Sequence, residues 1–255
     1  MKILYLGDVV GKIGLNVLKD NIRYLREKYQ PNLIFINGEN ISDGRGLILR
    51  DYKEVMKLNI PLITMGNHTF HHVSTINFIG GSNIIRPYNL DTKYGVGYKT
   101  IRFNNKSITL INLLGQFGIM MKDKINNPFK AILELLPQIK SDYIIVDMHA
   151  ESTSEKEAMA ALLDGKVDAV LGTHTHVQTN DAQVLPRGLM YITDLGMCGS
   201  YDSVLGVKAE IILNRYLEID NQAPFVFEDK GRKQINGVLL DMDKKSIKIV
   251  NEIFK

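Results

Sequence analysis

The chain has 255 residues, with 31 Lys and Arg against 28 Asp and Glu, a net charge of +3 and one cysteine. That length suits one α/β domain, so residues 1–255 are expected to form a single unit, and the balanced charge without a Lys or Arg run argues against a nucleic-acid footprint. Cys198 alone excludes an intrachain disulfide, no apolar stretch approaches the roughly 20 residues of a membrane helix, and Met1 runs into ILYLGD without signal-peptide regions, so a cytoplasmic protein is expected.

Five short apolar runs punctuate the chain: ILYLGD (3–8), LIFINGEN (33–40), LITMGNH (62–68), YIIVDMH (143–149) and AVLGTHTH (169–176). Runs rich in β-branched residues and bounded by Gly or loop residues read as buried parallel strands. After the first run, Leu15, Leu18, Ile22, Leu25 and Tyr29 recur at spacings of three and four, which predicts a crossover helix. Two β-rich runs, YGVGYKTIRF and SITLINLL, flank Asn104-Asn105-Lys106 and predict a hairpin. Asn127 and Pro128 predict a helix start, with Phe129, Ile132, Leu133 and Leu136 as its buried stripe. Ser154 with Glu157 has the spacing of a capping box, and Gly165 supplies a stop. Beyond Val207, EIILNRYL, PFVFED, QINGVLLDMD and KSIKIVNEIF are expected as antiparallel strands of one sheet.

Each parallel-strand run ends in side chains able to hold a metal: Asp8; Glu39 and Asn40; Asn67; His149; His174 and His176. Open α/β sheets gather ligands beyond the carboxyl ends of their strands, so the five runs point to one dinuclear site. Read alone, Asp8 could serve as a turn or helix-cap residue and Glu39-Asn40 as a polar turn. His149 at the end of a buried strand needs a partner for each ring nitrogen. His174 and His176 would repel if both were protonated in a dry pocket, a conflict that divalent ions remove. His68 can reach substrate as a general acid. His71 and His72 lack a strand-end setting and read as surface residues. Cys198 has no adjacent base and reads as structural, and neither a Gly-x-Ser-x-Gly elbow nor a Walker loop is present. Arg45 in SDGRGL and the loop 193–203 flank the motifs without a role that the residues alone define.

GDVVG (7–11), NGEN (37–40), MGNH (65–68), DMHAESTSEK (147–156), GTHTHVQT (172–179) and YITDLGMCGSYDS (191–203) together resemble the YmdB-type branch of the calcineurin-like metallophosphoesterases. The resemblance spans nearly the whole chain. It implies a four-layer α/β/β/α sandwich of two mixed sheets flanked by helices, with a centre of two divalent metal ions, iron or manganese. It also implies that Asp8, Glu39, Asn40 and His176 surround one ion, that Glu39, Asn67, His149 and His174 surround the other, and that Glu39 bridges them. The wider superfamily has Asp-x-His in its first motif and Asp at the bridging position; here Val10 follows Asp8-Val9 and Glu39 stands at the bridge, while in the resemblance Asn40 fills the place of the missing histidine.

Two divalent ions against the carboxylates of Asp8 and Glu39 leave the centre about two charges positive, which suits an anionic phosphodiester. The expected activity is a phosphodiesterase in which a hydroxide bridging the ions attacks phosphorus. The resemblance narrows the substrate to 2′,3′-cyclic nucleotides, and self-association into a homo-oligomer is compatible with it. Two alternatives use the same residues: a phosphomonoesterase, and a metal-dependent regulatory protein acting through protein contacts.

Overall fold

The computed structural model describes residues 1–119, 121 and 124–255. The chain begins with β1 (Lys2–Val10), α1 (Gly11–Tyr29), β2 (Leu33–Asn40), α2 (Leu49–Met56), β3 (Leu62–Thr64), α3 (Ile76–Ile79) and β4 (Ile84–Ile85). The hairpin β5 (Tyr98–Phe103) and β6 (Lys106–Leu114) follows, then α4 (Pro128–Leu135), β7 (Tyr143–His149), α5 (Thr153–Leu163) and β8 (Ala169–Thr173). The last part holds β9 (Gln183–Val184), β10 (Met190–Ile192), β11 (Met197–Ser200), α6 (Ala209–Tyr216), β12 (Lys233–Asp241) and β13 (Ser246–Phe254).

Two mixed sheets result, in the orders β13-β12-β11-β1-β2-β3-β4 and β5-β6-β7-β8-β10-β9. Three apolar layers show how they stack. Along β1, Ile3 and Tyr5 face one way and Leu4 and Leu6 the other, as the two-residue strand period requires. Leu4 and Leu6 join Leu15, Leu18 and Leu25 of α1 and Val55 of α2 on the outer face of the first sheet. Ile3 and Tyr5 meet Leu110, Ile145, Leu171 and Met190 of the second sheet in the middle layer. The far face of the second sheet, with Ile111, Val146 and Val170, is covered by Ile132 of α4 and by Met159 and Leu163 of α5. This is the expected α/β/β/α sandwich. Both faces of each central strand are buried, which explains why the runs read as continuously apolar.

Local expectations fare unevenly. The stripe on α1 is buried or half-buried as its spacing predicts, and the β5–β6 turn places Asn104 and Asn105 at φ 46° and 63°. Asn127 caps α4 by accepting from the Phe129 and Lys130 N–H groups at 3.0 Å each. Of the expected stripe Ile132 is buried and Phe129 and Leu136 pack half-buried against the core beside Pro128 and Leu135, but Leu133 faces solvent. No capping box forms at Ser154 and Glu157: α5 begins two residues earlier than that box requires, with Ser152 at its N-cap, and the Ser154 and Ser152 hydroxyls bond at 2.8 Å. Gly165, at φ 79°, does lie just past the end of α5. EIILNRYL is α6 and not a strand, and PFVFED makes only a single bridge, Phe227 to Val207. The isoleucines and leucines of EIILNRYL suit either element, and here they form a helix that buries none of its residues. β12 and β13 do form an antiparallel pair within the first sheet.

One buried ion pair ties α5 to the loop after β10. Lys156 Nζ lies 2.7 Å from Asp194 Oδ2, with both side chains buried. The same carboxylate accepts from the Thr175 N–H (3.1 Å) and the Gly196 N–H (2.8 Å), and the Gly196 carbonyl accepts from the Asp8 N–H (3.1 Å). Removing one partner of such a pair leaves a buried charge uncompensated. Lys156→Met is therefore expected to lower the unfolding free energy by about 3–5 kcal/mol in urea denaturation; a loss below about 1 kcal/mol would show that the pair does not hold this junction.

Candidate metal centre

The site forms where the carboxyl ends of β1, β2 and β3 in one sheet face those of β7 and β8 in the other. Asp8 sits where the β1–β2 register shifts, and its Oδ2 accepts from the His174 N–H at 3.1 Å. Glu39 Oε2 accepts from the His68 N–H at 3.0 Å, and its Oε1 lies 3.0 Å from His149 Nε2. Gly66 makes this approach possible, since a Cβ there would fall 2.3 Å from both Glu39 Oε2 and the His149 ring. Past β8 the chain curls, with His174 at φ 105° and His176 at φ 65°. Left-handed backbone at two histidines is strain held in place by its surroundings, a frequent mark of a functional loop.

His149 shows what the cluster is built for. Its Nε2 faces three further atoms at once: Glu39 Oε1 at 3.0 Å, His174 Nδ1 at 3.0 Å and Asn67 Oδ1 at 3.2 Å. One N–H can serve only one of them. A cation at their centre would satisfy all four, and ligand atoms of Glu39, His149 and His174 lie within 4.8 Å of one another. The tautomers agree. Thr173 donates its hydroxyl to Asp147 Oδ1 at 2.6 Å and so accepts from His149 Nδ1 at 2.9 Å, which makes Nε2 the nitrogen available to an ion that displaces its proton. His174 Nε2 lies 3.1 Å from Glu151 Oε2, which leaves its Nδ1 to face the cluster.

The neighbouring position carries a second signature. Asp8 Oδ1 and Asn40 Oδ1 are buried oxygens without a hydrogen-bond partner. Buried polar atoms are rarely left so. Asn40 is oriented by donating its amide to the Gly44 carbonyl at 2.9 Å, which turns its oxygen away from that bond. His176 Nε2 stands 4.0 Å from Asp8 Oδ1, and its Nδ1 lies 3.0 Å from the Leu205 carbonyl. The donor set fits a second divalent ion beside the first.

The field of these groups is strongly coupled. Burial raises Asp8 to about 6 although His176 and His149 oppose the shift. Burial also disfavours charge on Glu39 and His149, yet their mutual attraction prevails and holds Glu39 down at about 2 and His149 up at about 9. His174 is driven down to about 3 by burial and then by the charge of His149. The protein's own groups therefore let one histidine of the His149–His174 pair carry a proton but not both. His68 is half-buried and lowered from its ordinary value chiefly by that burial.

All seven candidate ligands, Asp8, Glu39, Asn40, Asn67, His149, His174 and His176, lie at this junction, and His68 shares a cavity wall with Glu39, Asn40, His174 and His176. His71 is exposed and His72 half-buried beside the Ser42 carbonyl. Buried Cys198, raised to about 12 by that burial, is an inert packing residue. Sequence reasoning gave no role to Asn37, Asp147, Thr173, Glu151, Asp194 or the aromatic pair Phe225 and Phe227. Asp147 did carry a signal: it stands two residues before His149 in an apolar strand, hence on the same face, and a carboxylate there must be partnered.

Residues 4–253 match the family model described as YmdB-like protein. The chain is 39% identical over 257 residues to the 2′,3′-cyclic-nucleotide 2′-phosphodiesterase of Bacillus subtilis (strain 168), covering 98% of this chain and 95% of that protein. Among solved structures it is similar to a novel phosphatase from Mycoplasma pneumoniae, with TM-score 0.92 and 37% identity over 99% of this chain and 93% of that one. It is similar also to a hypothetical protein from Thermus thermophilus, with TM-score 0.90 and 34% identity over 100% and 99% of the two chains. Matched across nearly its full length by the family model, the chain belongs to the YmdB-like protein family.

Proposed function

We propose that this chain is a phosphodiesterase in which two divalent ions, iron or manganese, act within one domain on 2′,3′-cyclic nucleotides in the cytoplasm. The observation that carries the reading is the convergence of Glu39 Oε1, Asn67 Oδ1 and His174 Nδ1 on His149 Nε2 at 3.0–3.2 Å, beside the two partnerless oxygens of Asp8 and Asn40. The activity for which the Bacillus subtilis relative is named supports the substrate class. Among the described residues no helix is long and apolar enough to cross a membrane.

Glu39, Asn67, His149 and His174 would hold one ion, and Asp8, Glu39, Asn40 and His176 the other, with Glu39 common to both. Bound divalent ions supply Lewis acidity toward phosphoryl oxygens and bring the pKa of water toward neutrality. Oxygen and imidazole ligands without thiolate suit iron and manganese. Asp147 and Thr173 keep the His149 lone pair turned inward, and Glu151 does the same for His174. His68, anchored through its backbone to Glu39 on the cavity wall, is placed to donate a ring proton to a leaving or non-bridging oxygen of the phosphate.

Three outcomes test this. Glu39→Gln and His174→Ala should lose bound metal and turnover together, whereas His68→Ala should retain about two ions per chain and lose roughly two or more orders of magnitude in kcat. Elemental analysis beside steady-state kinetics separates these, and loss of metal from the His68 variant would overturn its role.

Thr173→Val removes the acceptor that sets the His149 tautomer, so metal affinity measured by chelator competition should fall about 10–100-fold. Unchanged affinity would mean that the ring is held without that bond.

Finally, the metal-loaded protein should prefer 2′,3′-cyclic AMP to 3′,5′-cyclic AMP and to an aryl phosphomonoester in kcat/KM. A preference for the monoester would establish the phosphatase reading instead, and no metal-dependent turnover on any of the three would refute both hydrolytic readings.

A further inference from the structure

The centre opens into a cavity of about 290 Å³, at the small end of the usual range for small-molecule sites. One end is polar, formed by the candidate ligands; the other is apolar, formed by Leu205, Val207, Phe225 and Phe227 from the segment between β11 and β12. A separate recess beside Lys12 and Asn16 contains none of the candidate ligands, and its Lys19–Glu54 and Arg50–Asp51 pairs already match charge with charge at 2.8 Å.

Phe225 is 39% exposed, unlike an aromatic ring that serves a core. Its ring is held from outside the core, by the Arg215 guanidinium 4.1 Å from the ring centroid, and Arg215 in turn donates to the Ala223 carbonyl. A second guanidinium, that of the exposed Arg45, lies 5.7 Å from the same centroid. Phe227 joins this wall to the metal ligands. Its ring occupies the place of a side chain at Gly44, where a Cβ would lie 1.9 Å from Cζ and where φ is +77°. The Gly44 carbonyl is the group that orients Asn40.

We propose that Phe225, backed by Arg215, is the surface on which the nucleobase of the substrate stacks, and that it makes the cavity selective for nucleoside phosphodiesters over base-free ones. The inference rests on the phosphodiesterase reading for its choice of ligand. A planar base has the π-face that such a ring accepts, stacking tolerates any base, and the Arg215 contact holds the ring in place before the ligand arrives. Arg45, on the longer contact and an exposed arm, yields the ring to the base.

The test compares 2′,3′-cyclic AMP with methyl ribofuranoside 2′,3′-cyclic phosphate, which carries the same reacting group without a base, using the metal-loaded enzyme. In Phe225→Ala the ratio of kcat/KM for the nucleotide to that for the base-free diester should fall about tenfold, the scale of one lost stack, chiefly through KM, and Phe225→Tyr should restore it. An unaltered ratio in the alanine variant, or failure of the tyrosine variant to restore it, would overturn the proposal. Calorimetry supplies a readout without turnover: the native protein should bind 3′-AMP about tenfold more tightly than ribose 3-phosphate, and the alanine variant should lose that preference. Binding preference without hydrolysis of either diester would refute the phosphodiesterase reading and uphold the stacking surface. Equal binding of the two phosphates by the native protein would refute the stacking surface whatever the turnover.

Discussion

A single buried carboxylate holds the two sheets in register and aims the candidate metal site. Asp147, on β7 of the second sheet, accepts from the Tyr5 hydroxyl (3.1 Å) of β1, the Asn37 amide (3.2 Å) of β2 and the Thr64 hydroxyl of β3, all on the first sheet. Its other oxygen takes the Thr173 hydroxyl of β8. A carboxylate in an apolar layer is costly unless its oxygens are satisfied, and here burial raises its pKa despite four donors. Sliding one sheet on the other would break these bonds together. The same geometry turns Thr173 toward His149, so the constraint that sets sheet against sheet also orients a candidate metal ligand.

The junction gathers more lone pairs than its protons can serve. Three nitrogen and oxygen atoms meet around His149 Nε2, and two further oxygens nearby have no donor. Left to protons, such a cluster is only partly satisfied: Glu39 and His149 hold each other charged, and His174 is driven neutral by burial and by the charge of His149. The fold bears it because the strand ends are fixed by the sandwich and the loops by the Lys156–Asp194 pair, which holds Thr175 between the two histidines and, through Gly196, the backbone of Asp8. Rigid positioning of this kind lets a cation bind without reorganising its ligands.

The segment between β11 and β12 brings different chemistry to the same cavity. Its helix, α6, packs no residue into the core, while Phe225 and Phe227 after it wall the cavity. Phe227 over Gly44 joins that wall to Asn40, so the apolar and polar ends of the cavity share one loop. Guanidiniums at Arg45 and Arg215 add positive charge around an aromatic surface, a combination suited to an anion that carries a flat ring.

The sequence by itself determined the central strands, helix α1, the β5–β6 hairpin and the N-cap at Asn127, because two-residue and 3.6-residue periods and local turn chemistry are properties of neighbouring residues. The metal-ligand candidates were legible for a related reason: each ends an apolar strand, where polar side chains have few structural uses. Tertiary structure decided what depends on partners distant in the chain. EIILNRYL became a helix that buries none of its residues, and Leu133 was left exposed on α4 while Ile132 and Leu135 pack inward. Asp147 and Thr173 acquired their roles only when β7 and β8 were laid against β1, β2 and β3, and Phe225 only when its segment folded over the cavity. A hydrogen bond or a ring contact between residues so far apart in the chain leaves no period in the sequence, since only the packed sheets bring its two halves together.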